Sequence, residues 1–77
     1  MNLVQWLLVG GPGHGQVLWI KAGTNVIYPR SGEVFLYEGE NYLCEGRLYR
    51  IGCHNPTSIQ RAEISILIHA TKLEPIT

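Results

Sequence analysis

Four groups of residues in this chain have types and spacings that invite chemistry. The first is Gly10-Gly11-Pro12-Gly13-His14-Gly15. Glycine allows positive φ and a close backbone approach, so such a run suits a loop cradling phosphate. A Walker-type loop would continue with Lys and then Ser or Thr, and Gln16 and Val17 stand there instead. A dinucleotide fingerprint starting at Gly11 and Gly13 needs glycine or alanine where Gln16 sits, and a helix after it. Both motifs fail on residue identity. Two readings stay open: a tight connection between two strands, and an exposed loop that meets a ligand through His14.

The second group is Cys44, Cys53 and His54. Thiolate and imidazole are zinc ligands, but structural zinc sites pair their cysteines two to four residues apart. The spacing here is longer, so no metal is expected and the cysteines read as small buried hydrophobes. The third group is the acid–base inventory of three His, no Asp and six scattered Glu. Nothing in it assembles a nucleophile, a base and an orienting acid. Glu33, Glu38, Glu40, Glu45 and Glu63 read as solvated turn charges, and no enzymatic activity and no cofactor are expected.

The fourth group interleaves aromatic rings with guanidinium groups: Tyr28, Arg30, Tyr37, Tyr42, Arg47, Tyr49 and Arg50. Tyr and Arg are enriched at binding hot spots because each joins a large contact area to a polar end. They also stack bases and hold phosphates. The binding candidates are therefore His14, Tyr28, Arg30, Tyr42, Arg47, Tyr49 and Arg50. The competing reading has the tyrosines along the edge of the core and the arginines in solvent.

The elements that must position these groups are short. Gly and Pro recur along the whole chain, and the runs between them are rich in Val, Ile, Leu, Tyr and Trp, which favours strands joined by turns. Residues 3–9 are apolar on both faces and predict a central strand, hairpinned to a second over 16–21. Shorter strands follow at 26–28, 33–37, 42–45 and 47–51, with Glu38-Gly39 and Glu45-Gly46 as turn signals. Over 61–71 Ala62, Ile64, Ile66, Ile68 and Ala70 alternate with polar residues, broken by Leu67, which predicts a strand. A helix competes there: Thr57 and Gln60 have capping-box spacing, and Ile59, Ala62, Ile66, Ala70 and Leu73 fall at helical intervals. The expected fold is mainly β: one domain over 1–77, a twisted antiparallel meander of five or six strands. It closes into a small barrel or packs on a copy of itself, with at most one short helical turn near 57–61.

Seventy-seven residues hold one core, and chains this short bury little enough surface that a homo-oligomer is expected. Six Lys and Arg balance six Glu, which argues against nonspecific nucleic-acid or membrane attraction. Leu3–Val9 is too short to span a bilayer. Two cysteines make no disulfide framework, so a reducing intracellular compartment is expected.

The segment Leu8-Val9-Gly10-Gly11-Pro12-Gly13-His14-Gly15-Gln16, with the later Tyr-rich stretch and Leu48-Tyr49-Arg50-Ile51, resembles small accessory proteins of tailed bacteriophages and prophages, which open with a strand, a Gly-Gly-Pro-x-x-Gly turn and a second strand. The resemblance implies a protein made in the cytoplasm of an infected bacterium, where such chains neutralise host factors or defence systems. Two functional expectations follow. In one, a non-enzymatic inhibitor occupies a host protein using an exposed strand edge and the Tyr/Arg set. In the other, an oligomer sequesters a small nucleotide-type signalling ligand. A minor virion component is a third.

Overall fold

A computed structural model describes residues 2–28, 36–54 and 61–76, with Arg61 described in its backbone alone. Five strands and one helix follow in order: β1 (Leu3–Val9), β2 (Val17–Lys21), β3 (Val26–Ile27), β4 (Tyr37–Cys44), β5 (Arg47–His54) and α1 (Arg61–Thr71). The fold is mainly β, as the residue pattern predicts. The strands form one sheet in the order β2-β1-β5-β4-β3. No helix among the described residues is long and apolar enough to cross a membrane.

β1 is an interior strand, and its doubly apolar run explains why: Trp6, Leu7, Leu8 and Val9 are all buried. It pairs antiparallel with β2, Trp6 opposite Leu18, and parallel with β5, Trp6 opposite Arg50. That parallel pair corrects the expected all-antiparallel meander. β4 and β5 form a hairpin whose two-residue turn, Glu45-Gly46, has φ of 50° and 79°, the both-positive geometry that matches strand twist. The other expected turn, Glu38-Gly39, lies inside β4.

The chain passes from β2 to β3, at opposite edges of the sheet, through residues 22–25. In a flat sheet four strand spacings would separate those edges by about 19 Å, whereas Lys21 to Val26 can reach roughly 17 Å when fully extended. The sheet must therefore curl. It stays open, with β2 and β3 as edges among the described residues, rather than closing into a barrel.

Register assigns the side chains to two faces. Leu7, Val9, Tyr42, Cys44 and Ile51 meet Ile64, Ile68 and Leu73 in one cluster, so α1 covers this face. On the inner face Trp6, Leu8 and Tyr37 form a second cluster with Val4, Leu18, Ile20 and Ile27 around it. The Trp6 ring lies across Gly39 and Gly52, which are cross-strand partners. A Cβ at Gly39 would stand 2.6 Å from Trp6 Cη2, and one at Gly52 3.0 Å from Trp6 Cε3. Gly39 is thus required by a neighbouring ring and not by a turn.

α1 corrects the strand expected over 61–71. The chain there suits both periods, and the helix satisfies the apolar sheet face by presenting Ile64 and Ile68, one turn apart, with Leu67 between them. The residues that read as a helical stripe, Ala62, Ile66 and Ala70, point outward instead. The helix ends in a Schellman motif: Lys72 has φ 53°, its N–H donates to His69 C=O at 3.3 Å, and Leu73 N–H donates to Ile68 C=O at 3.2 Å. Lysine occupies the position where glycine would have marked the stop. Thr57, Gln60 and the helical turn expected near 57–61 fall outside the described residues below 61, as do positions 33–35 of the expected 33–37 strand.

Candidate functional site

The glycine loop is built as a connection. Tyr37, reaching from β4, donates through Oη to Gly10 C=O at 2.7 Å and accepts from Gly13 N–H at 2.9 Å. A Cβ at Gly11, where φ is 64°, would stand 2.6 Å from the His54 ring and 2.9 Å from Tyr37 Oη. The loop is therefore packed against its own sheet. His14 serves the same end: its Nδ1 accepts from Gly10 N–H at 2.8 Å, which assigns the ring proton to Nε2. That nitrogen stands 3.4 Å from Glu63 Oε1 on α1. His14 ties the loop to the helix.

The Tyr/Arg set does not share a surface. Tyr42 and Tyr49 are cross-strand partners under α1. Tyr42 belongs to the core, with Oη 3.2 Å from Ser65 Oγ, and Tyr49 packs half-buried against it. Tyr28 is exposed just past β3, and Arg47 is exposed at the opposite end of β4, at the hairpin turn. Arg30 lies outside the described residues. Arg50 is on the inner face, its guanidinium 5.1 Å from the Trp6 ring centroid. Its Nη1 donates to Asn41 Oδ1 at 2.9 Å, and its Nη2 to Thr24 C=O at 2.9 Å and Asn25 Oδ1 at 3.4 Å.

Arg50 thus pins the β2–β3 crossing over Trp6. Arg50→Ala should lower stability by about 1–2 kcal/mol in urea unfolding, because charge-assisted hydrogen bonds and a cation–π contact are lost together. Arg50→Lys should recover less than half of that, since an ammonium lacks the planar fork. An unchanged midpoint in the alanine variant would contradict this role.

Beside Arg50 a cleft of about 250 Å³ is lined by Val4, Trp6, Lys21, Thr24, Asn41 and Ile76 among others. The Trp6 ring is 1% exposed, so it offers no face for stacking. A smaller hollow of about 170 Å³ separates Leu3 and Trp19 from the segment Glu74 to Ile76.

The cysteines are free thiols. Cys44 is buried and donates towards Ser65 Oγ at 3.8 Å. Cys53 donates to Glu40 Oε2 at 3.5 Å, and burial, with the Glu40 carboxylate adding to it, pushes its thiol up to about 11. Thiolate is therefore scarce at Cys53 near neutral pH, the opposite of what a nucleophile or metal ligand needs. No group of three or more His, Cys, Asp or Glu among the described residues could hold a metal ion.

One feature that the residue types alone did not single out is the free edge of β2. Leu8 N–H donates to Gln16 C=O and Ala22 N–H to Asn2 C=O, so the even-numbered residues Leu18 and Ile20 carry the bonds to β1. The backbone N–H and C=O groups of Val17 and Trp19 then point away from the sheet. No strand among the described residues pairs with that side. The Trp19 side chain stands there 55% exposed, with Leu3 52% exposed on the same face of the neighbouring strand. The available signal was alternation: Trp19 shares its face with Lys21 and not with Leu18 and Ile20. Comparison with family models, curated proteins and solved structures found no match.

Proposed function

We propose that this chain is a non-enzymatic binding protein that engages a partner protein by pairing its β2 edge with an extended segment of that partner, Trp19 acting as the anchor. The observation that carries this reading is an exposed tryptophan on an edge strand whose outward backbone groups are unpaired with any described strand. Strand addition supplies main-chain hydrogen bonds, and alternate side chains supply specificity. Tryptophan is among the residues most enriched at hot spots. In the infected-bacterium setting that the resemblance implies, the partner is a host protein and binding inhibits it.

Nucleotide sequestration is the weaker alternative. The cleft beside Arg50, at about 250 Å³, lies below the roughly 300 Å³ at which small-molecule sites begin. The Arg50 donors are engaged with Thr24, Asn25 and Asn41.

The test is capture from bacterial lysate on the immobilised chain, repeated with Trp19→Ala. A truncated hot spot of about 2 kcal/mol or more should weaken capture of one defined protein at least tenfold. The melting temperature should hold, because Trp19 is more than half exposed. Equal capture by the folded variant would remove the edge from the reading. A nucleotide mass retained in native mass spectrometry would move the assignment to sequestration.

A further inference from the structure

We propose that His14 is a pH-sensitive latch: proton uptake by its ring releases the Gly10 amide and leaves the ring to Glu63 on α1, so that the glycine loop opens as the pH falls. Histidine is the side chain whose charge changes between about pH 5 and 8, and His14 is exposed, so a proton reaches it. Its two ring nitrogens have opposite roles. Nδ1 accepts from Gly10 N–H at 2.8 Å, and Nε2 lies 3.4 Å from Glu63 Oε1. A neutral ring fills both roles in one tautomer. An imidazolium has two N–H groups and no acceptor, so it keeps Glu63 and must turn Nδ1 away from the amide.

The amide then needs water. Gly10 is buried, and Nδ1 is the acceptor that its N–H finds among the described residues. A buried donor without a partner is unfavourable, whereas the ion pair gained with Glu63 is open to solvent on both sides and contributes little. The Gly10 corner therefore swings out on the His14 side. Tyr37 still holds Gly10 C=O and Gly13 N–H, which confines the opening to that side. The other titratable groups that face the loop among the described residues carry no such conflict. His54 packs on Gly11, and its Nδ1 lies 3.3 Å from Leu36 C=O, an acceptor that suits a protonated ring. The Tyr37 hydroxyl already donates, to Gly10 C=O. His69 stands with Glu45 at the far end of α1.

Nitrogen-15 NMR and hydrogen exchange between about pH 8 and pH 5 test the latch. The Gly10 amide shift should move with the midpoint of the His14 ring signals and not with that of His54. Its protection, corrected for the intrinsic pH dependence of exchange, should fall about tenfold or more, while amides of β4 and β5 keep theirs. His14→Asn places an amide oxygen where Nδ1 stands and cannot titrate, so Gly10 should stay protected across the range. His14→Gln has no acceptor at that position, and Gly10 should exchange fast throughout. Glu63→Gln should preserve the Gly10 response, because the acceptor is lost whatever faces Nε2. A Gly10 amide that stays protected through the His14 titration, a response that persists in His14→Asn, or protection lost equally across the sheet would each overturn the proposal.

Discussion

Trp6→Ala should lower the melting temperature by roughly 15–30 °C, because it removes about 3–5 kcal/mol from a domain of this size. Trp6 is 1% exposed and anchors the inner cluster with Leu8 and Tyr37. Its loss leaves a cavity over Gly39 and Gly52, two positions without a Cβ that could fill it. Neighbours cannot collapse into that space readily, since the ring is held between two strands and the Arg50 guanidinium. A chain of 77 residues has about 4–12 kcal/mol of total stability, so the variant sits near its unfolding threshold. Trp6→Phe, which keeps a ring over the two glycines, should lose about half as much. Thermal unfolding followed by circular dichroism decides it, and a fall below about 5 °C in Trp6→Ala would mean that the glycine platform does not carry the inner cluster.

Tyr37→Phe should lower stability by about 2–4 kcal/mol although the ring and its burial are retained. The hydroxyl is the partner of both Gly13 N–H and Gly10 C=O, and all three residues are buried. A buried polar group left without a partner loses about 1–3 kcal/mol, and here one atom serves two such groups. The effect should be local as well as global. Hydrogen exchange at the Gly13 amide should accelerate beyond what the drop in overall stability explains, while amides of β4 and β5 follow it. A variant with the native urea midpoint and native exchange at Gly13 would show that water replaces the hydroxyl at no loss.

These two side chains show why chemistry-bearing residues were hard to rank from their types. Tyr37 belongs to the Tyr/Arg set by composition, yet it is a buried strut for the glycine loop. Tyr42 and Tyr49 face the helix, and Arg50 faces the opposite side of the sheet, one residue from Tyr49 in sequence. Adjacent strand residues point to opposite faces, so a cluster in sequence becomes a scatter in space. Trp19 is the converse case. Only its place on the edge of the sheet, which depends on β1 choosing β2 and β5 as neighbours, gives its exposure a meaning.

The sequence by itself determined what local sterics and periodicity control: the mainly β character, the interior strand at Leu3–Val9 with its doubly apolar run, the β1–β2 hairpin and the Glu45-Gly46 turn. Tertiary structure alone decided the rest. Residues 61–71 satisfy both a two-residue and a 3.6-residue period, and the apolar sheet face over Leu7, Val9 and Ile51 settles the choice in favour of a helix that ends on Lys72 without a glycine. The parallel pairing of β1 with β5 joins segments more than forty residues apart, which no local signal encodes. The curl of the sheet follows from a short connection that must reach from one edge to the other. Gly39 reads as a turn until the Trp6 ring is seen lying across it.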